Sequence, residues 1–402
     1  MESLRYLYKI GPGPSSSHTI GPKRISEVFL NEFHNAYSYK VDLFGSLALT
    51  GKGHLTDYII EKTFKNRRLK INFIYEFKEE HPNTMDLYAY DKDGNVIGYR
   101  RAFSIGGGDF SFSHLDNNEQ RKKIYPHQSM DKIIKYLKDN KISLSDYVYY
   151  YDSDIKEYLH IILDKMFDSI ERGLKSSGKL PGTLNLERVA SKIYHHALEV
   201  DDESERDKLL ISAYAYAVNE ENACAGEIVT APTCGSSGVV PSLLYHFYKK
   251  FKTPKVKLVD ALAVAGIIGN LVKRNATISG AEGGCQAEVG TACSMASSMV
   301  SYLFNLDIDK IEYAAEVAME HHLGLTCDPV KGYVQIPCIE RNAVAALRAY
   351  DAALFAKHIG NYRKNRVSFD QVIETMAATG KDLSYHYKET SLGGLAKHVK
   401  DK

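Results

Sequence analysis

The stretch VDALAVAGIIGNLVKRNATI, residues 259–278, decides the fold. It is apolar nearly all round and rich in Ala and Gly, with no polar face of the kind a surface helix keeps. That pattern reads as a helix buried at the centre of a bundle. Working outward, helical spacing recurs on both sides. SDIKEYLHIILDKMFDSIERGLKS, from about Asp152, DIDKIEYAAEVAMEHHLG and IERNAVAALRAYDAALFAKHI all carry apolar residues at helix period. Gly324 is the expected C-cap of the second of these. After about residue 128 strand signals almost vanish.

Upstream the texture changes. VDLFGSLAL and LKINFIYEF are short β-rich runs, and MDLYAYDKDGNVIGYRRAFSIGGG holds a hairpin signal, Asp93-Gly94 between alternating apolar positions. SSHTIGPKRISEVFLNEF reads as a helix entered from a serine-rich loop. The expected class is therefore α+β. A small N-terminal α/β-sandwich-like domain, residues 1–150, precedes a larger all-helical domain, residues 151–402. The acidic run VDDESERD is expected to be a solvated loop or helix end.

A net charge of +1 gives no basis for a nucleic-acid partner or an anionic membrane. No apolar run reaches the ~18 residues of a membrane span. The start, MESLRYLYKIGPGPSSSHT, lacks the apolar core of a secretory signal, so the expected location is cytoplasmic.

All six cysteines fall between residues 224 and 338. In a chain without a secretory signal that clustering favours metal or catalysis over disulfides, although cysteine is also a common buried residue. Cys285 follows two glycines in GAEGGCQAEVG, Cys327 follows a helix end and precedes Asp328-Pro329, and Cys338 follows Pro337 and opens a helix. Thiols at such breaks can converge, and helix N-termini favour their anionic form. Cys293 lies mid-helix and is read as packing, as are Cys224 and Cys234. The absence of a CxxC pair argues against a zinc ribbon or a thioredoxin-like site. Two readings stay open: three buried thiols, or an iron–sulfur cluster on three thiolates with one iron open to a substrate oxygen.

Three loops could meet a ligand. IGPGPSSSHTIGP offers Ser15, Ser16, Ser17, His18 and Thr19 between Gly-Pro pairs, either as a cradle for a small anion or as a capped helix entry. LALTGKGHLTD brings His54 and Asp57 beside glycines, and FSIGGGDF permits close backbone approach at Gly106 to Gly108. In APTCGSSGVVPSLL, Ser236 and Ser237 precede a helix, with the same two readings. The Asn-Glu-Glu-Asn run from Asn219, with Lys273, Arg274, Asn275, Glu282 and Glu288, adds polar groups near the cysteines.

Taken in order, these motifs resemble the iron–sulfur-dependent L-serine dehydratases (L-serine ammonia-lyases), single-chain type. GPSSSHTIGP, LFGSLALTGKGHLTD and FSIGGG resemble the signature loops of the family's small domain. NEENACAGEIVTAPTCGSSGVVP, ISGAEGGCQAEVGTACSMA, CDPVKGYVQIPCIERNA and KETSLGGLA resemble those of its catalytic domain. The resemblance implies a [4Fe–4S] cluster on Cys285, Cys327 and Cys338, whose open iron acts as Lewis acid on the serine hydroxyl, giving pyruvate and ammonia. It also implies substrate-facing roles for Ser15, Ser16, Ser17, Thr19, His18, His54, Ser236 and Ser237. Among these, His54 is expected to orient the substrate and His18 to assist proton transfer or carboxylate binding. Homodimerisation is a further expectation from family behaviour.

The sequence departs from the family at three points. It ends LAKHVKDK, without the terminal cysteine that caps the open iron in some members, so that form of self-capping is expected to be missing. Glu227 stands where many relatives carry a basic residue. The chain is shorter than many members, so some loops are expected to be absent. Rival readings are a pyridoxal-phosphate dehydratase, which needs a Schiff-base lysine and a phosphate loop, a non-catalytic serine sensor, and the same cluster chemistry on L-threonine or L-cysteine.

Overall fold

The computed structural model describes residues 1–76, 78, 80–113 and 122–399. The class is α+β, with a mixed sheet in the N-terminal part followed by a long, mainly helical region. A short strand β1 (Ile10–Pro12) precedes helix α1 (Gly21–Glu32). Strand β2 (Ser38–Phe44), helices α2 (Ser46–Leu49) and α3 (Thr56–Phe64) and strand β3 (Leu69–Ile74) follow. Strands β4 (Thr84–Tyr90), β5 (Val96–Ile105) and β6 (Asp109–Phe112) complete a five-stranded sheet of order β3-β2-β4-β5-β6. Only β2 and β3 run parallel, which is why helices must carry the chain between them. Alternation sets the buried face: Val41 lies opposite Ile71 and Leu87, and Ile25, Phe29, Ile60 and Phe64 of α1 and α3 close over it. The hairpin expected at Asp93-Gly94 joins β4 to β5. Its loop is held by Asp91, whose carboxylate accepts from the Asp93 and Asn95 amides at 2.9 Å each.

The helical unit contains α4 (Met130–Asn140), α5 (Leu144–Tyr151), α6 (Ile155–Lys175), α7 (Ala190–Glu199) and α8 (Glu203–Ala223). A three-residue strand β7 (Glu227–Val229) separates these from α9 (Val239–Lys250) and α10 (Lys255–Asn275). Then come α11 (Gly280–Gly283), α12 (Thr291–Leu303), α13 (Ile308–Glu320), α14 (Cys338–Ile359), α15 (Phe369–Asp382) and α16 (Leu395–His398). As its composition requires, α10 is central, buried at every residue from Ala261 to Val272. Helix α12 lies against α10, α13 and α14. Part of its polar side-chain set is satisfied across the interface: Ser294 and Ser297 donate to the Ala315 and Ala314 carbonyls of α13 at 2.8 and 2.9 Å, whereas the Thr291 and Ser301 hydroxyls are buried without a partner.

Two features went unread in the sequence. The first eight residues pack into the helical core through Leu4, Leu7 and Tyr8, and β1 pairs antiparallel with β7, Ile10 opposite Val229. Residues 125–148 also contribute to that core, on the N-terminal side of the boundary expected near 150. Helix α13 stops at Glu320, four residues before Gly324 (φ +80°), because two further turns of chain intervene before the glycine reverses it. The two units are clamped by Asp109 at the start of β6, which pairs with Lys9, with Lys273 of α10 at 2.9 Å and with Arg24 of α1 at 3.6 Å. Among the described residues no helix is long and apolar enough to cross a membrane.

Candidate functional site

Local chain geometry brings the three expected cysteines to one place. Gly284, at φ +73°, turns the chain out of α11, and a side chain there would stand 2.9 Å from the Leu325 carbonyl. Cys285 thereby begins a π-helical turn, Gln286–Gly290, that runs into α12. Such turns recur at functional sites. Cys327 is held at both backbone groups by the C-terminal segment: its N–H donates to the Tyr387 carbonyl (2.8 Å) and its C=O accepts from Glu389 N–H (2.9 Å). Cys338 opens α14. All three are buried free thiols, and all three line one cavity with Ser15, His54, Glu288 and Glu389.

The Sγ atoms of Cys285 and Cys327 and a Glu288 carboxylate oxygen lie within 4.8 Å of one another. A hydrogen bond from Cys327, helped by the Arg341 guanidinium, holds the Cys285 thiol below its usual range against burial. Burial, with the charge of Cys285, pushes Cys338 well up. Arg341 is itself fixed by the Thr326 carbonyl at 2.6 Å and Asp328 at 3.0 Å. Burial raises Glu288 too, although Thr233 donates to it at 2.7 Å. A set of three soft donors in an enclosed space suits an iron–sulfur group better than a hard cation. The free volume is about 20 Å³, room for one water. Room for a cluster on these thiols, and for a substrate beside it, therefore requires the walls to part.

The other wall comes from the sheet unit. Ser16–Ile20 is a second π-helical turn, entering α1, and it buries His18. The turn from Thr50 into α3 buries His54, and the two imidazoles stack with centroids 4.4 Å apart. Thr50 sits 2.9 Å from Nε2 of His18 through its hydroxyl and 3.0 Å from Nδ1 of His54 through its carbonyl. Beside the stacked rings lies the Glu389 carboxylate, 3.5 Å from His18 Nδ1 and 3.4 Å from His54 Nε2. Ser15 and Ser17 donate to it at 3.3 and 3.4 Å. Burial holds His18 down at about 4, so the ring is neutral near pH 7. Burial alone would raise Glu389, but its interactions with the His18 and His54 imidazoles and the Ser15 hydroxyl outweigh it and hold the carboxyl at about 2.

The remaining expected residues are placed less directly. Ser17 hydrogen-bonds His18 Nδ1 at 2.9 Å. Thr19 spends its hydroxyl on the Pro12 and Ser15 carbonyls, inside its own loop. Ser16 is buried in the turn. Ser236 bonds Thr233 at 3.1 Å, Ser237 is buried without a hydroxyl partner, and neither lines the cavity, whereas Gly235 beside them does. Cys293 faces away, its thiol 3.3 Å from the Ala345 carbonyl. Gly106 abuts Ser279, so the glycines of FSIGGG serve a neighbouring chain segment. Glu227 is a surface residue paired with Lys165 at 2.9 Å. Sequence reasoning missed Glu389, Ser46, Thr50 and Arg341 as site residues. Each lies inside a motif quoted above, and that context was the available signal.

Fold and site together define a class: a two-unit protein in which thiols of a helical unit face imidazoles of a sheet unit across one cavity. Comparison makes it particular. Residues 57–396 match the serine dehydratase alpha chain family and residues 3–62 the serine dehydratase beta chain family. The L-serine dehydratase of Haemophilus influenzae is 37% identical over 453 residues, covering 98% of this chain and 99% of the relative. L-serine dehydratase 1 of Escherichia coli K12 is 38% identical, with 98% and 99% covered, and the L-serine dehydratase of Streptomyces coelicolor is 37% identical, with 98% of each covered. The chain belongs to the iron–sulfur L-serine dehydratase family, with alpha and beta parts in one polypeptide. The 453-residue alignment exceeds the 402 residues of this chain, so the relatives carry insertions that it lacks.

Proposed function

We propose that the protein deaminates L-serine to pyruvate and ammonia at the cavity between the two units. The observation that carries this reading is the convergence of Cys285, Cys327 and Cys338 with His54, Ser15 and Glu389 on that one cavity. The three thiolates would hold a [4Fe–4S] cluster, which when bound supplies a Lewis acid that makes the substrate hydroxyl a better leaving group. The small unit would supply the substrate-facing loops and the helical unit the cluster.

In this reading the chain's own residues do the rest. The Ser15–Thr19 turn, with Ser16 and Ser17, cradles the substrate carboxylate, and Gly235, next to Ser236 and Ser237, forms part of the opposite wall. His54 orients the substrate. Neutral His18 has a lone pair with which to assist proton transfer. Loss of the α-proton and of the hydroxyl, together one water, leaves aminoacrylate. Its imine tautomer takes up a water and releases ammonia and pyruvate. Among the described residues no lysine lines the cavity, which counts against a Schiff-base mechanism there.

The test is pyruvate release by protein purified without oxygen and reconstituted with iron and sulfide, beside an air-treated aliquot. Activity in the first and its loss in the second is the expected result, with L-threonine slower because its extra methyl must fit a tight cavity. Absence of pyruvate from a well-formed cluster protein would overturn the reading.

A further inference from the structure

We propose that Glu389 is a positioning residue of the reaction, holding His54 and His18 toward the thiol cavity; this rests on the lyase reading above. A carbonyl oxygen only accepts hydrogen bonds. The nitrogen of His54 that faces the Thr50 carbonyl at 3.0 Å, Nδ1, therefore carries a proton. That bond fixes the ring so that Nε2 faces Glu389 Oε1 at 3.4 Å and donates to it when the ring carries both protons. His18 brings Nδ1 to 3.5 Å from the same oxygen, with its ring stacked on His54. One carboxylate thus faces both imidazoles, meeting His54 directly and reaching His18 also through the Ser17 hydroxyl, which lies 2.9 Å from Nδ1.

The backbone of the same residue links the two walls. Its N–H donates to the Cys327 carbonyl at 2.9 Å, and its own carbonyl accepts from the Ser46 hydroxyl at 2.7 Å. Glu389 sits at φ +57°, the left-handed region, where a side chain is strained and glycine is not. A turn alone would be met better by glycine. The position therefore calls for the carboxylate, which reaches four polar side chains of the small unit: Ser15, Ser17, His18 and His54. Glu389 need not touch the reacting atoms. It acts through the rings it holds.

The experiment compares wild type with Glu389→Gln and Glu389→Asp as reconstituted proteins. Three quantities are read: steady-state kinetics, iron and sulfide content, and the side-chain nitrogen signals of ¹⁵N-labelled histidine, assigned with His18→Gln and His54→Gln. Expected for Glu389→Gln are unchanged cluster content, a kcat lowered about 30-fold or more, a KM within about threefold, and displaced signals for both His18 and His54. Glu389→Asp, which keeps the charge, should recover part of kcat. Undisplaced imidazole signals in Glu389→Gln would overturn the proposal, as would a kcat within about twofold of wild type. If wild type itself releases no pyruvate, the lyase reading fails, and the imidazole signals alone then decide whether Glu389 holds the rings.

Discussion

Cys285 and Cys293 lie in one small-residue segment, both buried, yet only Cys285 faces the cavity. Burial does not separate a ligand from a packing thiol; direction does. Cys293 points into the bundle at the Ala345 carbonyl, a contact that serine can reproduce. Replacing Cys285, Cys327 or Cys338 by serine is therefore expected to lower bound iron and sulfide several-fold and to abolish pyruvate formation, while Cys293→Ser keeps both. Iron and sulfide assays beside the visible absorption of reconstituted protein check this. A Cys293→Ser protein that loses its cluster would reassign the ligand set. The three cysteines each stand where helical spacing breaks, which left packing thiols and cluster ligands both open; the family resemblance is what singled them out as ligands. Glu389 was not singled out, although it lies in the KETSLGGLA motif: its partners His18 and His54 come from the other end of the chain, and only the tertiary fold brings them together. The hydroxyl of Thr19 could not be assigned from sequence either, since cradle and self-bonded turn use the same residues.

At the scale of elements, the site depends on loops that meet at backbone distance. A Cβ on Gly53 would stand 2.5 Å from the Gly332 carbonyl carbon, joining the His54 turn to the loop between Cys327 and Cys338. Neither backbone can yield as a side chain could. Gly53→Ala is expected to cost about 1–3 kcal/mol and to lower activity, because the His54 wall is pushed off the thiol wall. Gly94, at the hairpin tip, is the contrast: φ is +84° but no atom lies within 4 Å of its Cβ position. Gly94→Ala should cost about 1 kcal/mol from backbone strain alone and leave activity intact. Urea midpoints and serine turnover for the two variants separate the effects, and equal activity in both would remove the close-approach argument. The same elements show how far sequence carries. Buried α10 and the β4–β5 hairpin followed from composition and period, since those patterns are local. The pairing of β1 with β7 did not, because three-residue strands lack a period and the pair joins distant parts of the chain. Nor did the reach of the first eight residues into the helical core, which depends on where a groove is left open.

The whole molecule has a stability profile set by histidines it buries uncharged. His246 of α9 is almost fully buried, 4.0 Å from Asp207. Burial holds its pKa down at about 4, with Lys250 opposing the pull of Asp207. In the unfolded chain the ring titrates near 6.5. Between those values the unfolded state binds the proton and the folded state does not, so stability falls as pH drops from about 6.5 to about 4. For His246 alone the loss by pH 5 is about 2 kcal/mol, and His18, held down at about 4 in the same way, acts in the same sense. Glu316 acts oppositely. Burial and the neighbouring Glu320 raise it to about 8, so the folded state keeps a proton that the unfolded chain releases, and stability is lost as pH rises from about 4.5 toward 8. The two trends overlap, so the variants rather than the wild-type curve resolve them. His246→Gln should show a smaller loss between pH 7 and pH 5 than wild type, by about 2 kcal/mol, whereas Glu316→Gln should flatten the loss between pH 6 and pH 8. Urea denaturation across that range reads both. Parallel pH curves for His246→Gln and wild type would mean that the ring is charged in the folded protein, its proton shared with Asp207 across the 4.0 Å gap.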